Sequence, residues 1–252
     1  MDLSTSGFAL LALVAVIVLL LIYIAAGSGK SKRNAILIVG RSGTGENKSV
    51  GKTALLKQLK NSEQPKYGLL PSLVVNSAEI TVNGKPVRVM DVPGMVPSLL
   101  EDLLDRAKGI IFMVDSSEIR DHARRDAEIL HDVLTQGSIM KEKIPMLIFC
   151  NKSDLIASSS PDVSLGIRDL RREGCGDAVK TYLERELQLI RSSAVNAVET
   201  AGGTKQKQKE FLGFEEEVFR FEHVPNKLTF ASGSVIKGNI DPVQKFMAET
   251  TA

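Results

Sequence analysis

The sequence predicts an α/β fold in which a mostly parallel sheet carries helices on both faces. Apolar runs at residues 35–39, 109–114 and 145–150 are short and continuous, as buried parallel strands are. Amphipathic stretches at Glu118–Leu134 and Asp177–Ala194 have the length and period of helices. Because strands and helices alternate along the chain, we expect crossover connections and a largely parallel sheet.

The predicted elements follow in chain order. Ala35–Val39 forms the first strand, and the first helix begins with Lys52–Leu59. Asn83-Gly84 is a favourable hairpin turn between two short strands. The other predicted elements are the hairpin strands Glu79–Val82 and Pro86–Met90, a helix at Ser98–Ala107, the strand Gly109–Val114, the two helices named above, a strand at Val218–Phe221 that turns at Pro225-Asn226 and returns as Lys227–Ala231, and a last helix at Asp241–Met247.

An apolar run without charges, Phe8–Ala26, precedes the first strand. It is long enough to cross a bilayer as a helix. A cleaved signal peptide is the alternative, but the leading segment has an acidic residue and no basic one, and the run is too long. Lys30, Lys32 and Arg33 follow directly, which predicts a cytosolic body. The predicted organisation is therefore an anchor segment, residues 1–29, and a cytosolic domain, residues 30–252.

The segment after the first strand predicts a phosphate-binding loop. The expected pattern is Gly-x₄-Gly-Lys-[Ser/Thr], and Gly40 and Gly51-Lys52-Thr53 supply its two ends. The Val50 and Gly51 backbone would cradle phosphates at the helix N-terminus, while Lys52 would meet the β- and γ-phosphates. Six residues more than the pattern allows, Gly43–Lys48, lie between the two glycines. The sequence does not decide whether they loop out, distort the cradle or result from an error in the gene model.

Two further motifs complete a nucleotide site. Asp91-Val-Pro-Gly94 ends a strand, so Asp91 would reach Mg²⁺ through water, Thr53 would ligate it directly, and the Gly94 amide would sense the γ-phosphate. Asn151-Lys152-Ser-Asp154 ends another strand. Its Asp carboxylate can accept both N1–H and N2–H₂ of guanine, which adenine lacks. Three motifs in this order predict a P-loop, small-GTPase-like fold that binds GTP and Mg²⁺.

The amino-acid composition excludes some classes of function. The formal net charge is +2, tryptophan is absent and aromatic residues are few, so no nucleic-acid footprint appears and we expect no DNA partner. Two cysteines give no disulfide framework. Cys150, at the end of a strand, is expected to be a small core residue, and Cys175 a free thiol in a loop. Residues 158–176 and 199–209 read as polar surface loops.

The chain resembles the β-subunit family of the signal recognition particle receptor. The resemblance rests on the anchor followed by a basic linker, on Asp91–Gly94, and on four segments, residues 134–154, 189–194, 213–221 and 226–229. It implies a GTP-loaded subunit in the endoplasmic reticulum membrane that holds the receptor α subunit there for co-translational targeting. It also implies a switch residue near Ser72 and a purine-backing loop at Ala231-Ser232-Gly233. Membrane lipid is a further expected partner, and the ribosome or translocon is a candidate one.

The sequence leaves hydrolysis open. GTPases with fast assisted hydrolysis place Gln after Asp-x-x-Gly to orient water, whereas this chain has Met95, whose thioether orients water poorly. Three functions are therefore weighed: a docking subunit with slow or partner-dependent hydrolysis, an active GTPase that times cargo release, and a trafficking GTPase of the Arf or Sar class. The last class attaches by an amphipathic helix or lipid, and Asp2 excludes myristoylation here.

Overall fold

The computed structural model describes residues 33–42, 49–61, 74–94, 97–158, 174–200 and 211–252, together with Leu13. The chain divides into two units, residues 1–32 and residues 33–252, and the fold below belongs to the second. Among the described residues, no helix combines the length and the apolar character needed to span a bilayer. The predicted span at Phe8–Ala26 lies outside these residues, apart from Leu13, and stays a prediction.

The described part of the domain is built on one six-stranded sheet with strand order β2-β3-β1-β4-β5-β6. β2 and β3 pair antiparallel, and every other neighbouring pair is parallel. The mostly parallel sheet predicted from the sequence is therefore confirmed. The strands are β1 (Ala35–Val39), β2 (Asn76–Val82), β3 (Lys85–Asp91), β4 (Ala107–Asp115), β5 (Met146–Asn151) and β6 (Leu228–Ser232).

Helices cover both faces of the sheet, as predicted. Alternate residues of β1 divide between two apolar cores. Leu37 packs on one face with the helices at Ile119–Leu134 and Cys175–Thr200, and Ile38 packs on the other face with the helices at Lys52–Asn61 and Asp241–Thr251. This two-sided burial explains why the central strands are continuously apolar. The helices are α1 (Lys52–Asn61), α2 (Pro97–Leu104), α3 (Ile119–Leu134), α4 (Gly137–Lys141), α5 (Ser153–Ser158), α6 (Cys175–Thr200) and α7 (Asp241–Thr251).

The hairpin prediction is confirmed. β2 and β3 pair in full register from Val82–Lys85 outward. Asn83 and Gly84 have φ of 50° and 76°, the left-handed pair of a type I′ turn. That turn matches the twist of the flanking strands, so it sets the register that places Asp91 at the end of β3.

The strand predicted at Val218–Phe221 is wrong. The alternation itself is real, since Phe219 and Phe221 are buried and Val218 is exposed. However, the backbone N–H groups of Phe219 and Phe221 donate to the side chains of Gln188 and Glu184 on α6 (2.8 and 2.9 Å) instead of a neighbouring strand. Helix side chains therefore bond these backbone N–H groups, and among the described strands β6 pairs with β5 alone.

A buried arginine fixes the segment that precedes Phe219. Arg191 of α6 donates to the carbonyl oxygens of Leu212, Phe214 and Glu217 at 2.8–3.0 Å. A planar guanidinium with several donors suits this clamp better than the point charge of a lysine. These hydrogen bonds, instead of strand pairing, hold residues 211–217 in place.

Two other element predictions change at their ends. The helix predicted at Ser98–Ala107 ends at Leu104, because Ala107 already begins β4 beside β1. Cys175 was expected in a loop, but it is the first residue of α6. Arg33, one of the basic residues after the predicted span, belongs to the domain, where it donates to three carbonyl oxygens, including Ser138 O at 2.9 Å.

Candidate nucleotide-binding site

The predicted site residues that the structure describes lie at one edge of the sheet, where the parallel strands β1, β3, β4, β5 and β6 have their carboxyl ends. Ligands of open α/β sheets bind in the crevice at this edge. In chain order the edge carries Gly40, Asp91, Asp115, Asn151 and Ser232. The fold therefore brings together three motifs that are far apart in sequence.

The two described ends of the phosphate loop are joined by Lys52. Its Nζ donates to the carbonyl oxygens of Gly40 and Arg41 (2.8 and 3.0 Å), across the six surplus residues. Gly51 has φ of +96°, and the helix begins directly after it. At its carboxyl end the loop thus leads directly into a helix N-terminus, where backbone N–H groups can face a phosphate. The surplus residues Gly43–Lys48 lie outside the described residues.

Burial acts on the charge of Lys52. The side chain is 6% exposed. Burial lowers the pKa of Lys52 to about 8, while the Asp91 carboxylate acts in the opposite direction. An anionic phosphate would be a second favourable partner for the Lys52 ammonium. Binding of a polyanion would therefore raise the pKa of Lys52 again.

Gly40 and Gly94 bring the phosphate loop against the end of β3. A Cβ on Gly94 would lie 2.6 Å from the Gly40 carbonyl oxygen, and a Cβ on Gly40 would lie 2.4 Å from the Met113 carbonyl oxygen. Neither contact is tolerable for a side chain. The Gly94 N–H donates to Ser42 Oγ (3.1 Å), so the predicted γ-phosphate sensor is already next to the loop.

The residues predicted to hold Mg²⁺ meet each other. Thr53 Oγ1 donates to Asp91 Oδ2 at 2.6 Å. Asp91 is 1% exposed, and its second oxygen, Oδ1, has no hydrogen-bond partner. A buried carboxylate oxygen without a partner is costly, and a hydroxyl beside a carboxylate is the oxygen donor set that Mg²⁺ takes. The residues present therefore fit the ion.

Asn151 ties three loops together. Its Nδ2 donates to the Val50 carbonyl oxygen (2.8 Å), and its Oδ1 accepts from the Val235 N–H (2.9 Å). Asn151 is 4% exposed, so neither backbone group has water as an alternative. The first residue of the predicted guanine-reading tetrad therefore holds the phosphate loop and the loop after β6 in position.

Lys152 is held by a residue that the sequence analysis did not assign to the site. Asp115 ends β4, is fully buried, and receives Lys152 Nζ at 2.5 Å. Asp115 also accepts from Ser117 N–H and Oγ. Removing one partner of a buried ion pair costs about 3–5 kcal/mol. The sequence did contain a signal for this role, because Asp115 is a charged residue at the end of an otherwise apolar strand.

The predicted purine-backing loop packs against the same tetrad. The Gly233 N–H donates to the Cys150 carbonyl oxygen (3.0 Å), and Ser153 returns two hydrogen bonds to the Gly233 carbonyl, from N–H (3.1 Å) and from Oγ (2.9 Å). Asp154, partly buried, follows at the start of α5. Ser232 ends β6 beside Cys150. Sequence-distant residues 150–154 and 232–235 thus form one structure.

Arg41 was also missed. This second residue of the phosphate loop points under the loop, is 4% exposed, and faces the fully buried Asp126 of α3 at 3.4 Å and Glu118 at 3.7 Å. Burial raises the pKa of Asp126 to about 7, although Arg41 acts in the opposite direction. The start of the phosphate loop is therefore anchored to α3 by charge. The predicted Ser72 and Met95 lie outside the described residues.

Comparison with known proteins identifies the family. Residues 31–228 match the family model described as the signal recognition particle receptor beta subunit. The chain is 33% identical over 211 residues to the signal recognition particle receptor subunit beta of Dictyostelium discoideum, covering 81% of this chain and 67% of that protein. The chain belongs to this family.

Two more comparisons agree. Identity to the Mus musculus receptor subunit beta is 28% over 237 residues, or 91% of this chain and 79% of that protein. A solved structure titled "The Structure of the Mammalian SRP Receptor" has the same fold, with a TM-score of 0.65, 24% identity, and coverage of 86% of this chain and 99% of that one. The chain is thus a GTP-binding subunit of the signal recognition particle receptor with a small-GTPase fold, and the Arf or Sar alternative is set aside.

Proposed function

We propose that this β subunit is anchored in the endoplasmic reticulum membrane and that GTP with Mg²⁺ shapes a docking surface for the receptor α subunit. The observation that carries the proposal is that three motifs come together at one edge of the sheet. Lys52 Nζ donates to the Gly40 carbonyl oxygen, Thr53 Oγ1 donates to Asp91, and Asn151 Nδ2 donates to the Val50 carbonyl oxygen. Family membership supplies the receptor context.

Each part of the nucleotide has a proposed holder. The backbone amides of Val50 and Gly51 and the Lys52 ammonium receive the phosphates, and Thr53 and Asp91 hold Mg²⁺, which neutralises phosphate charge when bound. Asp154 reads N1–H and N2–H₂ of guanine, and Ser232-Gly233 backs the purine. The Gly94 amide, already beside the phosphate loop, reports the γ-phosphate to the chain that follows β3.

The membrane part of the proposal rests on the sequence. Phe8–Ala26 would span the bilayer, and Lys30 and Lys32 would remain on the cytosolic side. Protease added to intact microsomes should then remove the domain of residues 33–252. A domain protected from protease, and so lumenal, would contradict this topology.

The docking proposal is tested by changing the nucleotide that the site accepts. Asp154→Asn exchanges the guanine acceptor for an amide that can donate to the 2-oxo group of xanthine. In full-length protein in lipid nanodiscs, we expect this variant to capture the α subunit with xanthosine triphosphate and poorly with GTP. Asp121→Asn, the same change at an exposed position of α3, should behave as the parent protein.

Two results would contradict nucleotide-dependent docking. One is equal capture of the α subunit by the Asp154→Asn variant with GTP, with xanthosine triphosphate and without nucleotide, since docking would then not read the nucleotide. The other is no capture by the parent protein in any nucleotide state.

A further inference from the structure

The two cysteines of the chain meet beside the guanine-reading loop. Cys150 is in β5 and pairs in register with Ser232 of β6. Cys175 begins α6, and a Cβ on the next residue, Gly176, would lie 3.7 Å from Ser232 Oγ. The helix N-terminus therefore sits over the ends of both strands, and Cys175 packs against the apolar core that contains Cys150.

The surroundings of the thiols are polar and incompletely paired. Ser116 is fully buried beside them, and its hydroxyl has no hydrogen-bond partner of regular geometry. Cys150 is fully buried, whereas Cys175 is partly exposed, and both are free thiols. One member of the pair is thus accessible to a small reagent in solution, and the other is enclosed directly behind it.

The two thiols differ in reactivity. The neighbouring Cys150 thiol lowers the pKa of Cys175 to about 6, and Ser232 adds to this effect, while burial acts in the opposite direction. The same thiol contact and burial raise the pKa of Cys150 well above its usual value. Cys175, the partly exposed cysteine, is therefore the one that more readily forms the thiolate, which is the nucleophilic form, and Cys150 is held as a thiol.

The enclosed cysteine is part of the nucleotide site's framework. Cys150 immediately precedes Asn151, which ties the Val50 carbonyl to the Val235 N–H. The Cys150 carbonyl also accepts from Gly233 in the predicted purine-backing loop. A movement of Cys150 is consequently transmitted to both loops that would hold the base.

We propose that Cys150 and Cys175 form a peroxide-sensitive dithiol whose oxidation to a disulfide weakens guanine-nucleotide binding. The proposal deepens the function above and rests on it, since it concerns regulation of the same site. Disulfides in cytosolic proteins are usually transient and redox-sensing, which suits a pair with one accessible thiolate.

The oxidation balances with hydrogen peroxide as the oxidant. The Cys175 thiolate attacks one peroxide oxygen, an S–O bond forms, the O–O bond breaks, and hydroxide leaves and takes up a proton as water. The Cys150 sulfur then attacks the Cys175 sulfur. The S–S bond forms, the S–O bond breaks, and the hydroxide leaves as water with the Cys150 proton. Two thiols are oxidised, and one peroxide is reduced to two waters.

The disulfide should weaken the site without dismantling it. A covalent sulfur–sulfur bond of about 2 Å draws the two sulfurs closer than any thiol hydrogen bond. If this strains one backbone hydrogen bond next to Cys150, GTP affinity falls on the order of threefold to tenfold. A thiol reductant should restore it.

The test uses the full-length chain in lipid nanodiscs. Reduced protein is treated with hydrogen peroxide, the remaining thiols are alkylated, and trypsin digestion without reductant is followed by mass spectrometry. Cys150 and Cys175 fall in different tryptic peptides, residues 144–152 and 173–180. We expect these two peptides to be cross-linked, and we expect the affinity for a fluorescent GTP analogue to fall and to recover with dithiothreitol.

Cys175→Ser is the matched control, because it keeps a small polar side chain at the partly exposed position. It should form no cross-link, and peroxide should leave its GTP affinity unchanged; Cys150→Ala should behave alike if it folds. Absence of the cross-link, or a cross-link that leaves affinity unchanged, overturns the proposal. Failure of the reduced parent protein to bind GTP would instead contradict the proposed function, so the two failures are distinguishable.

Discussion

Replacing Asn151 by Asp exchanges the side-chain amide nitrogen for a carboxylate oxygen. The change tests whether the hydrogen bonds of Asn151 hold the nucleotide-binding site in position. The Nδ2 donor to the Val50 carbonyl oxygen, at 2.8 Å, is lost, while the acceptor of the Val235 N–H is kept. Leaving a buried carbonyl without its donor costs about 1–3 kcal/mol. A carboxylate facing that carbonyl adds repulsion, so the phosphate loop should move away from it.

Part of this free-energy cost should appear as weaker binding of GTP. Movement of Val50 shifts the backbone amides of Val50 and Gly51, which are the proposed phosphate donors. We expect GTP to bind on the order of tenfold more weakly, about 1.4 kcal/mol. For a domain of this size, each kcal/mol lost also lowers the melting temperature by about 2–4 °C.

Asn226→Asp supplies the matched control. Asn226 is equally buried, and its Nδ2 donates to the carbonyl oxygens of Ile139 and Ile144 (3.0 and 2.9 Å), at the amino-terminal edge of the sheet. The same chemical change therefore removes two hydrogen bonds away from the site. We expect a lower melting temperature for both variants and weaker binding of a fluorescent GTP analogue for Asn151→Asp alone. Equal GTP affinity of the two variants would refute the reasoning.

Four further predictions concern the same site. Asp154→Asn should lose a charge-assisted hydrogen bond worth about 1.5–3 kcal/mol to guanine and gain affinity for xanthine nucleotides, measured by competition binding. Deleting Gly43–Lys48 restores the four-residue spacing and should preserve or tighten GTP binding by about 1 kcal/mol or less, measured by calorimetry. Since phosphate favours protonated Lys52, affinity should fall as pH rises through about 8, with proton uptake on binding visible in buffers of different ionisation enthalpy. Met95 should leave single-turnover hydrolysis slow, and Met95→Gln should not make it fast without an arginine from a partner; partner-free turnover above about 1 s⁻¹ would contradict this.

The parts of the fold that were predictable are those with a local signal. Asn83-Gly84 specifies its own turn, and the apolar runs of β1, β4 and β5 specify buried strands, so these elements agree with the structure. The hydrophobic alternation at Val218–Phe221 is also present in the structure, where Phe219 and Phe221 are buried and Val218 is exposed. Its backbone partner was not predictable, because Gln188 and Glu184 reach it from a helix distant in sequence.

The candidate site divides in the same way. The motifs predicted that Thr53 and Asp91 would be neighbours, and the structure brings them to 2.6 Å. The motifs did not predict that Asp115 would hold Lys152 or that Arg41 would be buried against α3. Such contacts depend on which helix covers the sheet and on how deeply each side chain is buried. The position of a charged residue in the sequence indicates neither of these.

The central claim is that this sheet edge holds a guanine nucleotide. The most direct measurement is the nucleotide content of full-length protein extracted from membranes in detergent with Mg²⁺, denatured, and resolved by ion-exchange chromatography. Our account predicts a guanine nucleotide in stoichiometric amount, and its loss from Asn151→Asp before Asn226→Asp on washing. An adenine nucleotide, or protein that carries none and does not take up added GTP, would contradict it.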